Sequence, residues 1–316
     1  VTAARRSSGA PSRERKGLRV PSFAKINLGL EVLGRRRDGY HELRTLFQTI
    51  SLRDDLWLSP RPMGVSVRSA SPEVPGDETN LAARAALELA RLSGVRSGVH
   101  IEIAKRIPVA AGLGGGSSNA ASVLLGLDRM WRLGLGPSGL YEPARRIGAD
   151  VPFFLLGGTA LGVARGDEVY PLRRQLRSHV VVASPARPVS TAAVFRRLDA
   201  RLTPRENGST IFRFVSRDLE GVTGFSLLSN DLEAAALEEA PDLARVLRRI
   251  RGILVREGAG LALLSGSGSS VFGLFADAVQ AVRARDALRK AAIPAFHART
   301  VTLDQYRRVW ARALGR

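Results

Sequence analysis

Apolar positions change period several times along the chain, and each change marks an element. From Val20 to Leu33 they alternate: Ala24, Ile26, Leu28 and Leu30 fall on one face, Phe23, Lys25, Asn27 and Gly29 on the other. A period of two predicts a strand, and this one projects Lys25 and Asn27 together from one side. The turn Arg35–Gly39 follows, with Asp38-Gly39 as its signal, and residues 42–58 read as strand-rich. Asp77-Glu78-Thr79-Asn80 caps a helix over Leu81–Leu92, and Val99–Ala104 alternates as a strand. A glycine-rich run leads into an apolar helix ending near Leu133-Gly134, and a second helix spans Pro137–Ile147. Gly148-Ala149-Asp150-Val151-Pro152 opens a short apolar segment closed by Gly157-Gly158. Ala160–Ala164 and Glu168–Leu172 flank the turn Arg165-Gly166-Asp167 as short strands.

A second half begins near Arg177. Val180–Ala183 reads as a buried strand, with helices at 191–201, 229–237 and 241–256. Ala262–Ser265 and Val271–Ala276 are strands around the small-residue run 266–270, and a helix at 278–291 and a strand at 294–302 finish the pattern. Strands and helices mix without strict alternation, which predicts an α+β fold in two lobes, 18–176 and 177–316. Residues 1–17, rich in Arg, Ser, Gly and Pro, are expected to be a disordered basic tail.

Composition narrows the chemistry. The chain has 316 residues, 45% of them hydrophobic, enough for one large or two ordinary cores. No apolar run is long enough to span a membrane. The absence of cysteine removes disulfides, thiolate metal sites and cysteine nucleophiles, and a cytoplasmic setting is expected. His41, His100, His179 and His297 lie far apart, so no metal-ligand spacing is visible. The net charge of +19 raises nucleic acid as a partner, but only four of the 48 basic residues are lysines, and the arginines are dispersed along helices. Such a field attracts a small polyanion without implying specific nucleic-acid binding.

The run Pro108-Val109-Ala110-Ala111-Gly112-Leu113-Gly114-Gly115-Gly116-Ser117-Ser118-Asn119 is the chief chemical signal. A nearly bare backbone entering a helix N-terminus directs unpaired N–H groups and the positive end of the helix dipole at an anion. No lysine follows the last glycine, so this is not a P-loop. No acidic residue stands where a dinucleotide-binding unit needs one. A polyphosphate is the expected ligand, with Ser117 and Ser118 as further donors.

Three segments share an order and spacing: Pro21–Leu28, the glycine loop at 108–119, and Leu264-Ser265-Gly266-Ser267-Gly268-Ser269-Ser270. Together they resemble the three motifs of the GHMP small-molecule kinases, from about Leu18 to the C-terminus. Ala24-Lys25-Ile26-Asn27-Leu28, Asp38-Gly39-Tyr40-His41-Glu42-Leu43, Gly148–Phe154 and Asn230-Asp231-Leu232-Glu233 resemble, within that superfamily, the 4-diphosphocytidyl-2-C-methyl-D-erythritol kinases of the non-mevalonate isoprenoid pathway.

The resemblance implies a first lobe like ribosomal protein S5 domain 2 and a ferredoxin-like second lobe. It implies ATP with Mg2+ as phosphoryl donor and direct in-line transfer to the 2-hydroxyl of the cytidyl substrate. It assigns Asp150 as base and Lys25 as its charge partner, the alternative for Asp150 being a helix cap ahead of Val151-Pro152. Pro108, Ala110, Ala111, Gly112, Leu113, Gly114, Gly115, Gly116, Ser117 and Ser118 would cradle the phosphates, and Asn80 and Lys105 match nucleotide contacts. Lys105 reads equally as a strand-end lysine. His41 would read the cytosine edge between Tyr40 and Phe195, although Phe195 could instead be the apolar face of a helix. Asn27 and Thr191 would meet polar groups of the substrate, and Gly266 and Ser267 would close against both ends. No carboxylate cage for a metal is visible. Ala192 stands where a proline is common, and Ala110-Ala111 where glycines are frequent, which requires negative φ there. Another acceptor, such as mevalonate or homoserine, and a basic nucleic-acid-binding role on an S5-like fold remain open on sequence.

Overall fold

A computed structural model describes residues 17–185, 187, 189–199, 211 and 228–315. The expected tail, apart from Gly17, and the far end of the helix expected at 191–201 lie outside the described residues.

β1 (Leu18–Arg35) and β2 (His41–Arg61) form a long antiparallel hairpin. β1 occupies one edge of β2 along its length. The other edge is divided: β4 (Gly98–Ala104) pairs with Asp55–Arg61, and β5 (Thr159–Val163) with Thr45–Gln48. β3 (Val65–Ser69) and β6 (Glu168–Pro171) complete a six-stranded sheet. Helices α1 (Leu81–Ser93), α2 (Gly115–Met130), α3 (Gly136–Gly139), α4 (Tyr141–Ile147) and α5 (Phe153–Leu156) belong to this half. Asn80 starts α1 by accepting from Ala82 N–H at 2.9 Å, and Gly94 ends it at φ 69°, the side-chain cap and left-handed stop of a well-specified helix.

The second half runs β7 (His179–Ala183), α6 (Thr191–Asp199), α7 (Leu232–Glu239), α8 (Pro241–Arg256), β8 (Leu261–Leu264), β9 (Val271–Phe275), α9 (Ala278–Lys290) and β10 (Ala295–Arg299). Its sheet order is β10-β7-β9-β8, all antiparallel, the ferredoxin-like arrangement. Apolar residues of α6, α7, α8 and α9 cover one face of this sheet.

The hairpin joins the halves. Phe23, Phe47, Leu56 and Leu58 pack with α1, α2 and α5. Ala24, Ile26, Leu28, Leu46 and Ile50 pack instead on Val180, Val182, Phe272 and Leu274 of the second sheet. β1 is therefore buried on both faces, and the side carrying Lys25 and Asn27 is interior too, at 4% and 2% exposure.

Three elements depart from the sequence pattern. The helix expected over Pro137–Ile147 is broken at Leu140 into α3 and α4. β3 is an extra edge strand parallel to β4. The chain does not finish at the strand expected over 294–302: β10 ends at Arg299 and α10 (Leu303–Ala313) follows, opened by a capping box between Thr302 and Gln305. α10 crosses back to the first half, burying Tyr306 and Trp310 against its core. The Tyr306 hydroxyl donates to the Phe154 carbonyl. Among the described residues, no helix is long and apolar enough to cross a membrane.

Candidate active site

The approach to the glycine loop is fixed from beneath by a buried carboxylate. Asp54 on β2 is fully buried. It accepts from Arg106 N–H at 2.7 Å, Ile107 N–H at 2.8 Å and Lys105 Nζ at 2.6 Å. Burial pushes the Lys105 ammonium below its ordinary value, and Asp54 opposes that shift. Lys105 reaches the start of α2: a Cβ placed on Gly115 would lie 2.9 Å from its Nζ.

The loop then enters α2 through Gly114, at φ 68°, with no side-chain cap. The first helical bond is Ser118 N–H to the Gly114 carbonyl at 2.8 Å, so the amides just ahead of it are those a helix start leaves over. A Cβ at Gly114 would stand 2.8 Å from Phe154 Cζ and 3.0 Å from Lys25 Cγ. Bare backbone, an uncapped helix start and an adjacent lysine suit a phosphate chain. Ala110 adopts φ 50°, not the negative value the sequence argument required. Its turn carries the chain from Ile107 round to Gly112, and its side chain is exposed.

Lys25 crosses behind this loop, its backbone N–H donating to the Leu113 carbonyl at 3.0 Å. Its ammonium is held three ways: Asn27 Oδ1 at 2.6 Å, Asp150 Oδ2 at 3.2 Å, and the face of Phe47, whose ring centre is 5.4 Å away. Asn27 in turn donates to Thr45 Oγ1 at 2.8 Å, and Thr45 donates to the Gly29 carbonyl at 2.9 Å. A buried lysine needs such partners to remain charged. The helix-cap alternative for Asp150 fails, because α5 begins at Phe153 with Pro152 in the cap position. The Asp150 side chain, 34% exposed, reaches the cleft instead.

The far end of the cleft is aromatic and cationic. His41 and Phe195 stack at 4.5 Å and 24°. His41 Nε2 lies 2.6 Å from Asp199 Oδ1. Tyr40 is 56% exposed, and the Arg165 guanidinium sits 4.8 Å over its ring. Arg165 is pinned by Asp167 at 2.7 Å, which also takes Arg145 at 3.0 Å. Burial pushes the Asp167 carboxyl up, but the hydrogen bonds from Arg165 and Arg145 more than reverse this and hold it below its ordinary value.

The third small-residue loop locks onto the first. Ser265 Oγ donates to the Gly112 carbonyl at 2.9 Å, and Ser270 N–H to the Ala111 carbonyl at 3.2 Å. Asn230, two residues ahead of α7, anchors it, donating to the Leu264 and Gly266 carbonyls at 2.9 and 2.7 Å. Ser267 Oγ meets Thr191 Oγ1 at 2.7 Å, tying the loop to α6.

Lys25, Asn27, Tyr40, His41, Gly112, Gly114, Ser117, Asp150, Thr191, Phe195, Gly266 and Ser267 thus line one cleft of about 700 Å³. Pro108, Ala110, Ala111, Leu113, Gly115 and Gly116 belong to the loop or its helix without lining that cleft. The Ser118 hydroxyl, buried, takes a hydrogen bond from Ser22 at 2.8 Å. Asn80 serves α1 and donates to the Pro75 carbonyl at 2.7 Å. Phe47, Thr45, Arg165 and Asp199 also line the cleft, and the sequence argument passed over them. The Asp199 signal was present, four residues after Phe195 on one helical face. Among the described residues, no three His, Asp or Glu side chains converge on a metal position.

Comparison with known proteins shows the family. The GHMP kinases N terminal domain profile matches residues 80–158, and the GHMP kinases C terminal profile residues 222–294. The 4-diphosphocytidyl-2-C-methyl-D-erythritol kinase of Geobacter metallireducens is 44% identical over 267 residues, covering 84% of this chain and 92% of that protein. The enzyme of the same name from Solibacter usitatus is 41% identical over 298 residues, covering 93% and 92%. A crystal structure of 4-(cytidine 5'-diphospho)-2C-methyl-D-erythritol kinase superposes with a TM-score of 0.74 at 37% identity, covering 89% of this chain and 98% of that one. Homoserine kinase from Cytophaga hutchinsonii, at 17% identity and a TM-score of 0.66 over 93% of this chain and 98% of its own, shares the fold. The chain is an ATP-dependent small-molecule kinase and belongs to the 4-diphosphocytidyl-2-C-methyl-D-erythritol kinase family of the GHMP kinases.

Proposed function

We propose that this chain transfers the γ-phosphoryl group of ATP directly to the 2-hydroxyl of 4-diphosphocytidyl-2-C-methyl-D-erythritol, in the cytoplasm. The observation that carries this reading is the Lys25–Asp150 pair, 3.2 Å apart. It stands in one cleft with Gly112, Gly114 and Ser117 of the glycine loop and with Tyr40, His41 and Phe195.

Phosphoryl transfer needs an oriented hydroxyl, a base and fixed positive charge near the migrating group. The α2 amides and Ser117 hold the donor phosphates. Asp150 takes the hydroxyl proton. Lys25 keeps Asp150 in place and faces the developing negative charge, its position set by Asn27 and Thr45 rather than by water. Mg2+, when bound with ATP, would supply positive charge that neutralises the phosphates. His41 reads the base edge, and Phe195 and Tyr40 offer stacking faces. The donor half belongs to a first lobe, 18–176, and α6 and the third loop belong to a second, 177–316, with α10 returning to the first.

Labelled ATP with a panel of acceptors tests the assignment. The cytidyl acceptor is expected to be phosphorylated in preference to mevalonate and homoserine. Preferred turnover of either of those overturns it.

A further inference from the structure

His41 is held from two directions by one helix. Phe195 covers its ring face at 4.5 Å, and Asp199 meets its Nε2 at 2.6 Å. Phe195 and Asp199 are four residues apart on α6, so both project from the same side of the helix. The His41 side chain is 9% exposed and Asp199 26%. Arg35, at the end of β1, places its Nη1 4.0 Å from Asp199 Oδ2. Among the described residues Nδ1 has no hydrogen-bond partner, and His41 lines the cleft.

An ionised carboxylate only accepts hydrogen bonds. A contact of 2.6 Å to Asp199 therefore places the ring hydrogen on Nε2. In the neutral ring Nδ1 then carries a lone pair and no hydrogen. The two pyrimidines differ at the group such an atom would meet: cytosine presents an amino donor at position 4, and a uracil-type ring a carbonyl acceptor. A fixed Nδ1 acceptor accommodates the first and repels the second.

We propose that Asp199 is a positioning residue that locks His41 in the Nε2–H tautomer and thereby makes the acceptor subsite select an aminopyrimidine over an oxopyrimidine. The inference rests on the cytidyl reading of the cleft. The role is distinct from that of the Lys25–Asp150 pair, because Asp199 touches His41 and stands at the aromatic end.

Two measurements on the full-length protein test it. Long-range proton–nitrogen NMR of the free enzyme, with the His41 signals assigned by their loss in His41→Gln, reads the hydrogen position directly. The wild type is expected as the Nε2–H form, and Asp199→Asn, whose amide can donate as well as accept, as a mixture of both forms. Steady-state kinetics with the cytidyl acceptor and its uridyl analogue form the second arm. In Asp199→Asn the cytidyl-to-uridyl ratio of kcat/KM should fall about ten- to a hundredfold, through KM for the cytidyl acceptor, while kcat and KM for ATP hold. A wild-type ring protonated on Nδ1 overturns the proposal, as does an unchanged ratio in a folded Asp199→Asn enzyme. If that variant does not fold, the wild-type spectrum alone decides. Wild-type enzyme that turns over neither pyrimidine acceptor overturns the functional reading of the cleft, and the spectrum still decides whether Asp199 sets the tautomer.

Discussion

Gly112→Ala probes whether the glycine loop and the third loop act as one unit. Gly112 has φ +75°, and an added Cβ would lie 2.1 Å from the Ser265 carbonyl oxygen and 3.0 Å from that of Gly268. Both obstacles are backbone, so no rotamer change relieves them. The left-handed conformation costs alanine about 1–2 kcal/mol. Roughly 1 Å must also open between the loops to restore ordinary contact. That movement strains the bonds from Ser265 Oγ and Ser270 N–H, each worth about 1 kcal/mol. The sum is about 3–4 kcal/mol, which at about 2–4 °C per kcal/mol predicts a melting temperature lower by about 6–16 °C. Catalysis should suffer as well, because the third loop touches the Lys25 network: a Cβ on Gly266 would stand 3.4 Å from Asn27 Oδ1 and 3.7 Å from Lys25 Nζ. Displacement of about 1 Å near reacting groups costs on the order of a hundredfold in rate. Gly116→Ala is the control. Gly116 lies in the first turn of α2, and its nearest obstacle is Leu81 Cδ1 at 3.5 Å. Its stability should hold or rise by up to about 1 kcal/mol, so any loss of activity there reports crowding at the phosphates. Thermal unfolding and steady-state kinetics on both variants decide the matter. Wild-type melting and turnover in Gly112→Ala would refute the interlocked-loop argument.

Asp150→Asn should lower kcat by about 10²–10⁴-fold with KM for ATP near its wild-type value, and undiminished turnover removes Asp150 as the base. Phe195→Ala should raise KM for the cytidyl acceptor about ten- to a hundredfold, since stacking on a base is worth about 1–3 kcal/mol; an equal rise for ATP would place Phe195 elsewhere. Asp167 has a folded-state pKa below its ordinary 3.8, so its contribution to stability is present above that value and disappears as pH falls through the lower folded value. Asp167→Asn should therefore be less stable than wild type at neutral pH and approach it in acid, as thermal melts at both pH values will show. A deficit that persists unchanged in strong acid contradicts the charge argument.

Most elements were legible because period and punctuation agreed. The capped start at Asn80, the alternation from Val20 and the apolar run after Ser118 each had one reading. α10 was missed although Thr302 and Gln305 spelled out a capping box, because arginines dominate its exposed side and only Tyr306 and Trp310 are buried. β3 is short, and none of its residues is fully buried, so it carries little apolar signal. The alternation of β1 was visible, but not that both faces are interior: a sequence cannot say that Ala24, Ile26 and Leu28 face a sheet formed more than 150 residues later. At the site, motif residues could be named in advance, whereas Arg165 could not, and Asp199 only through its four-residue spacing from Phe195. Each acts through a partner distant in sequence: Asp199 on His41, 158 residues away, and Arg165 on Tyr40. The geometry of Ala110 is likewise invisible in composition, since a left-handed alanine is imposed by the turn around it.

Burial on both faces of β1 also explains how a flexible side chain can be fixed well enough for catalysis. Lysine carries about 2 kcal/mol of rotamer entropy, and on a solvated strand its ammonium would wander. Lys25 has only 5% of its side chain exposed, and its stem is bounded by Gly114, where even a Cβ would approach to 3.0 Å. With water excluded, the ammonium must find polar partners or lose its charge. Asn27 Oδ1 and Asp150 Oδ2 provide them, and Thr45 keeps the Asn27 amide from turning away. Register shifts in β1 between Phe23 and Ala24 and between Asn27 and Gly29 bracket this stretch; such irregularities re-aim side chains next to active sites. Phe47 under the ammonium and Gly114 beside its stem thus desolvate Lys25, while the second sheet covers the opposite face of β1. Phe47→Leu, which removes the ring face under the ammonium, would admit water to it and weaken its hold on Asp150 while leaving both charged residues in place.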